Sequence, residues 1–483
     1  MMRCFVAAML LFILCAVAEG VADAQPGEPI STNRYNVEVF QGPVLAPQHV
    51  TGLAGAYTAF AEGVDGIPAN PAAAAVRKPY SFDSFDWDLS AGLSFPATFR
   101  HTDFDNDGNI GFFYDDFIFY NAGGMLQWGS AGGGILGDAQ TYNITPNALS
   151  LLDPKSELNV RRVDASVGWA FWNHQFVVGV GVRVIWLNVQ NSTFEHGTDT
   201  LVSMSGMAPQ FGALIRPDFE PWRLGLTYRA AVRGEVADPE AGTIGTDGVR
   251  RAAGLAIPHS IHVPWEVRAG FSIQLGPRPL NPSWLNPVSQ EQEARERVAT
   301  LRKERSRAKT RELDAIADPT SRARRASVLN QEEAYLRQKE EQQLEKLVER
   351  MRSERRARYW NWPRPYILIV AEALITGPSP NAVSMESFLS QRAKRAGQDY
   401  SVTPRLGLEG EPVVEHIKSR IGTYIEPSRF RGRNYRQHFT FGIDVRMFEL
   451  RAWGLLNGHY RISAMADLAP RYESFGLSLG IWH

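Results

Sequence analysis

Cysteine is almost absent from this chain. Only Cys4 and Cys15 occur in 483 residues, both within the first 24, which leaves no disulfide and no thiol chemistry for the remainder. Long apolar runs are also missing beyond that point. A membrane-spanning helix needs about 20 such residues, so a membrane could be crossed only by strands. No excess charge of either sign exists. The formal net charge is -1, which excludes whole-chain electrostatic recognition of nucleic acid. There is no G-x-S-x-G, no H-E-x-x-H, no phosphate-binding glycine loop and no histidine pair at ligand spacing, and the chain reads as a non-enzyme.

The first 24 residues form a recognisable unit. Arg3 precedes an apolar run from Phe5 to Val17, and Ala22-Asp23-Ala24 follows as a small-x-small site, the pattern of a secretory signal. A lipoprotein site at Cys15 is the competing reading, which Leu14 directly before it fits poorly.

Alternation then dominates. Asp86–Pro96 places Trp87, Leu89, Ala91, Leu93 and Phe95 on one face, with Asp88, Ser90 and Ser94 on the other. Similar period-2 runs cover 162–172, 176–186, 222–236, 263–275 and 439–447, and weaker ones cover 116–128, 130–142, 201–215, 366–375, 401–409, 413–425 and 460–468. The polar faces repeatedly carry Arg with Asp or Glu, unlike a soluble sheet whose apolar face meets a shared core. Runs of about ten residues suit tilted strands crossing a bilayer. The final strand reads Tyr472 to His483, with Phe475, Leu477, Leu479, Ile481 and Trp482 as the candidate signal to the barrel assembly machinery. The expected fold class is all-β: a transmembrane antiparallel barrel of about 14 strands in the bacterial outer membrane, in contact with its lipid.

Gly52–Val76 breaks the alternation. It is rich in Gly and Ala and carries Asn70-Pro71-Ala72, which predicts a small-residue helix over Ala54–Ala61 followed by a turn. Gly52, Gly55, Ala56, Ala59, Ala61, Glu62, Asp65 and Asn70-Pro71-Ala72 stand in an order that resembles the opening segment of the FadL family of outer-membrane transporters and the related PorV-type barrels. The resemblance covers Pro47–Phe95 closely and the later strands generally. It implies that residues 25–80 are a luminal hatch, with Gly52, Gly55, Ala56, Asn70, Pro71 and Ala72 as its site residues. It further implies a hydrophobic, fatty-acid-like ligand, and a kinked third strand opening sideways. Gly132-Gly133-Gly134 is the candidate for that opening, the alternative being a glycine strand packed on the hatch. Tyr366, Leu368, Val370 and Leu374 form an inferred lumen stripe, lining either a ligand path or the hatch.

Ser289–Arg358 departs from all this. It is dense in Glu, Arg, Lys and Gln, has no Gly, and has one proline, Pro319. Apolar residues recur at steps of three, four or seven, with Glu-to-Arg/Lys pairs four apart. This predicts an α-helical hairpin turning at Asp318-Pro319 with a narrow coiled-coil seam, or else solvated single helices. Counting back from a periplasmic C-terminus puts the insertion (residues 277–362) on the periplasmic side, between barrel strands 1–8 (81–276) and 9–14 (363–483). A periplasmic protein or peptidoglycan is its candidate partner.

Finally, Asp103, Asp105, Asp107 and Asn109, within His101–Asp116, match the first half of a calcium loop. The twelfth position is Tyr114 instead of Glu. Ca2+ in loop 103–116 and an ion-free acidic tip both stand open. The functional expectation is a hydrophobic-solute transporter; the alternative is a non-transporting anchor whose insertion recruits a partner.

Overall fold

The alternating runs become a closed wall. The computed structural model describes residues 28–39, 42–77, 85–96, 102–108, 118–144, 155–193, 197–238, 242–252, 254–284, 286–430, 435–452 and 456–482. The expected signal (residues 1–24), Asn109, Tyr114, Asp115, Asp116 and His483 lie outside them. Fourteen antiparallel strands close into a barrel. They are β1 (Phe85–Pro96), β2 (Ile118–Trp128), β3 (Ala131–Ile144), β4 (Lys155–Phe171), β5 (Phe176–Thr193), β6 (Gly197–Ile215) and β7 (Trp222–Arg229, continued by Val232–Val236). The remainder are β8 (Ser260–Val263, continued by Glu266–Leu275), β9 (Ile367–Thr376), β10 (Ser401–Val413), β11 (Ile417–Pro427), β12 (Tyr435–Ala452), β13 (Leu456–Ala469) and β14 (Tyr472–Ile481). Each strand pairs with its neighbours in sequence, and β14 returns to β1 with Leu477 opposite Leu93. Closure leaves no sheet edge to satisfy in lipid.

The two faces of the wall are physically distinct. Leu93, Leu126, Val167, Leu226, Ile421, Phe441 and Leu477 are exposed on the outside. Asp88, Asp164, Arg183, Glu372, Arg420 and Asp444 are buried on the inside. An apolar belt of this extent around a polar lumen is the surface of a bacterial outer-membrane barrel. No described helix is long and apolar enough to cross a membrane.

Two expected single strands are broken. β7 and β8 are interrupted at 230–231 and 264–265, where Pro264 has no N–H to give a ladder. Beyond the break, Asn36–Glu38 pairs in parallel with both Ser260–Val263 and Ala382–Ser384. Val37 is fully buried there, within an apolar core that also holds Tyr35, Phe119, Tyr142, Val160 and Phe388, and the buried Glu38 pairs with Arg429 at 2.6 Å.

The chain divides into two compact units, the second comprising residues 78–86 and 284–363. In this unit the charged insertion forms two helices, α2 (Pro287–Asp314) and α3 (Pro319–Trp360). Asn286 caps α2 by accepting the Val288 N–H at 3.0 Å with Pro287 in the first turn, and Asp318 accepts the Ser321 N–H at 2.8 Å. Ion pairs join the helices: Arg302–Glu340 at 2.9 Å, Lys309–Glu333 at 2.7 Å and Arg325–Glu312 at 2.6 Å. The expected apolar seam is shallow. Val298, Leu329, Leu344 and Met351 are only half-buried, while Leu301 and Leu347 are 55% and 45% exposed. Ionised side chains at nearly every second position leave too few apolar neighbours to cover them.

Candidate functional site

The lumen is filled by the hatch. Its first element is the helix α1 (Gln48–Gly52), which lies earlier than the helix expected over Ala54–Ala61. Ala54 and Gly55 explain the shift, since both have positive φ, 57° and 72°. That left-handed pair ends a helix and is tolerated best by glycine. The expected Asn-Pro turn is present. Asn70 accepts the Ala72 N–H at 3.0 Å through Oδ1 and opens a short 3-10 turn over Pro71–Ala75. Its Nδ2 donates to Thr58 O and to Ala213 O of β6, both at 3.1 Å.

Wall side chains supply the partners that the irregular hatch backbone cannot find within itself. Asp88 of β1 accepts the Val64 N–H at 2.8 Å, and Glu372 of β9 accepts those of Tyr57 and Thr58 at 3.1 and 2.9 Å. Gln127 of β2 donates to Ala74 O and Val76 O at 3.1 and 2.9 Å, and Thr227 of β7 to Ala69 O at 2.9 Å. Thr440 of β12 donates to Gly52 O and Arg405 of β10 to Gly55 O, both at 3.1 Å. Buried ion pairs add charge: Arg461–Asp65 at 2.7 Å and Arg223–Glu62 at 2.6 Å. No ladder pairing ties Gly52–Val76 to the barrel.

The glycine strand belongs to this seat. β3 pairs without register shift to both neighbours, so the ladder is unbroken at Gly132-Gly133-Gly134 in this conformation. A Cβ on Gly132 would lie 1.8 Å from Ala74 O, and one on Gly134 would lie 2.7 Å from Ile67 Cδ1. Glycine here lets the hatch touch the wall. The Tyr366 stripe has the same role. Tyr366, Leu368 and Val370 pack with Val50, Leu53, Ala56 and Tyr57 of the hatch, and the Tyr366 hydroxyl donates to Glu409 at 2.7 Å.

Leu374 instead borders a cavity of about 90 Å³ between Val39, residues 42–46 and the wall. Pockets for drug-sized ligands run to roughly 300–1,000 Å³, so this cavity is too small for a fatty-acid-sized molecule in this conformation. Arg162, Arg183, Arg229, Arg268 and Arg405 line the cavity. Sequence reasoning had not assigned these arginines a role. The signal was available: Arg recurs on the inward face of β4, β5, β7, β8 and β10.

Asp103, Asp105 and Asp107 do converge, with carboxylate oxygens within 4.8 Å of one another. Asp103 accepts the N–H groups of Asp107 and Gly108 at 2.9 and 3.0 Å. Lys394 already neutralises Asp107 at 2.5 Å. Burial, and then the Asp107 charge, pushes Asp105 up to about 7, and burial pushes Asp103 up to about 6. The set fits a cation poorly while Lys394 holds one of its three carboxylates. In β14, Leu477 and Leu479 face outward, whereas Ile481 and Trp482 are buried, with Lys418 Nζ 4.8 Å from the Trp482 ring centre.

No family model matches this chain, and no curated protein does. Among solved structures it is similar to a Pseudomonas aeruginosa FadL homologue, at 10% identity and a TM-score of 0.48, covering 92% of this chain and 99% of that one. It is also similar to the CymD monoaromatic hydrocarbon channel, at 9% identity and 0.46, covering 90% and 96%. For the Pseudomonas putida toluene transporter TodX the values are 9% and 0.42, covering 93% and 99%. These neighbours are channels of the FadL family, and at such identities the likeness is one of fold.

Proposed function

We propose that this chain is an outer-membrane transporter for hydrophobic small molecules of the long-chain fatty-acid class, which pass when the Gly52–Val76 hatch shifts within the barrel. The observation that carries this reading is how the hatch is held. Apart from the Asn70 Nδ2 bond to Ala213 O, the ties named above run from wall side chains, while the wall's own ladder closes without the hatch. The hatch can therefore move without opening the sheet. The order of Gly52, Gly55, Ala56 and Asn70-Pro71-Ala72, which resembles that of the FadL hatch, supports the same reading.

A second reading rests on a different observation. The insertion leaves Leu301, Tyr335 and Leu347 exposed among its charges, which suits a periplasmic helical arm recruiting a protein or peptidoglycan. The test is uptake of labelled long-chain fatty acid by cells with the gene, without it, and with residues 289–358 removed. Transport requires the gene to accelerate uptake. Full uptake by the shortened chain assigns the insertion to recruitment, and equal uptake without the gene removes the transport reading.

A further inference from the structure

The hairpin of α2 and α3 has a second, uncovered face. Arg302 and Arg305 pair with Glu340, and Lys309 with Glu333, which fixes the line along which the antiparallel helices touch and the residues that stand level. A helix turns about 100° per residue. On that scale Leu301 and Ala308 of α2, and Leu336 and Leu347 of α3, lie about 30–90° from the contact line. The offset has the same sense on both helices, so their opposite directions bring all four to one face of the hairpin. All four are exposed. The opposite face is polar, with Ser306, Arg337 and Glu341 at similar angles. The rim of the apolar face is charged. Glu304 and Arg311 on α2, and Lys339 and Glu332 on α3, lie about 90–150° from the contact line. They are exposed, and their side chains make no ion pair or hydrogen bond among the described residues. Towards the Asp318-Pro319 turn the sign runs negative then positive on α2, and positive then negative on α3.

We propose that this face binds a second copy of the same chain through a two-fold axis along the hairpin. This deepens the recruitment reading and rests on it, naming the partner. The symmetry lays α2 beside the second copy's α3, antiparallel and at the same level, so that four helices form a bundle. Leu301 and Ala308 then face Leu336 and Leu347 of the second copy, removing apolar surface from water. The rim charges meet their opposites. Glu304 stands level with Lys339, and Arg311 lies within about one turn of Glu332. Farther from the Asp318-Pro319 turn, Arg297 is level with Lys346, a like pair that Glu293, about one turn away, offsets. Exposed pairs of this kind add little affinity, but they select partner and register. Arg305 lies on the same side and brings its own counterion, Glu340, a polar layer that also fixes register. A rim that matches itself under a two-fold axis singles out a second copy as the occupant.

The full chain is purified in detergent micelles and its protein mass is measured by light scattering, beside the chain lacking residues 289–358. The full chain is expected to be dimeric and the shortened one monomeric. Leu301→Glu with Leu347→Glu, both at exposed positions, is expected to raise the dimer dissociation constant about tenfold or more, with the helical circular-dichroism signal retained. Glu304→Lys should weaken the dimer, and Glu304→Lys with Lys339→Glu should restore it, a rescue that misfolding cannot imitate. Glu304→Cys with Lys339→Cys should give a covalent dimer on oxidation, since no other cysteine lies beyond residue 24. A dimer that survives removal of the arm, or a full chain that stays monomeric at every concentration, would overturn the inference. Sedimentation with isolated peptidoglycan tests recruitment separately: a monomer that binds it through residues 289–358 leaves recruitment standing and removes the dimer.

Discussion

Arg461 of the thirteenth strand holds Asp65 of the hatch at 2.7 Å, with both side chains about 95% buried and Asp444 and His49 close by. Removing one partner leaves the other charge buried. Arg461→Ala is expected to destabilise the closed state by about 3–5 kcal/mol, while Asp65→Asn with Arg461→Gln should lose less than either single change. The readout is conductance in planar bilayers together with the heat-induced gel-mobility shift. Larger or more frequent openings in Arg461→Ala, with the barrel still folded, are the expected outcome.

Gly132 is where the hatch touches the wall most closely. Gly132→Val sets a branched side chain against Ala74 O, so Pro71–Ala75 must move while β3 keeps its pairing. The variant should reach the outer membrane and conduct more than the parent. Loss of the folded barrel with no change in conductance would place the glycine's role in strand formation instead.

The acidic tip should respond to pH. In the folded protein Asp103 and Asp105 titrate at about 6 and 7, above their ordinary value near 3.9. The folded state therefore binds protons more tightly than the unfolded one. Their contribution is fully present below about pH 4 and is lost as pH rises through 6 to 7. Asp107, Glu386, Lys394 and Arg436 face these groups. Amide exchange over residues 102–108 should speed up between pH 5 and pH 8 beyond the intrinsic base catalysis, and Asp105→Asn should flatten that excess.

The helical arm should be dispensable for the barrel. β8 and β9 pair directly, with Leu275 opposite Ile367, so the wall is complete where the insertion leaves it. A chain lacking residues 289–358 is expected to assemble with the same heat-modifiability. Its ion pairs are exposed and screened by solvent, so charge reversal at Arg302 should change little in the barrel.

Much of the wall was legible because lipid and lumen impose opposite demands on successive residues. Asp88 beside Leu89 already says which face is which. Asn70-Pro71 was legible as a turn, and Asp318-Pro319 as a helix boundary. The breaks in β7 and β8 were not anticipated, although Pro264 marks one of them. The pairing of Asn36–Glu38 was also missed, because three residues are too few to show a period. The hatch's contacts lie between segments hundreds of residues apart, as with Arg461 and Asp65. Local pattern shows that Gly132 is small, and only the packed lumen shows that Ala74 needs it to be.

The most direct test of the central claim is a reversible lock. The chain beyond residue 24 has no cysteine, and Val64 N lies 2.8 Å from the Asp88 carboxylate, so Val64→Cys with Asp88→Cys offers a disulfide between hatch and wall. Fatty-acid uptake is measured in cells carrying this variant, oxidised and then reduced. Transport by hatch movement predicts that oxidation stops uptake and reduction restores it. Equal uptake in both states would contradict it.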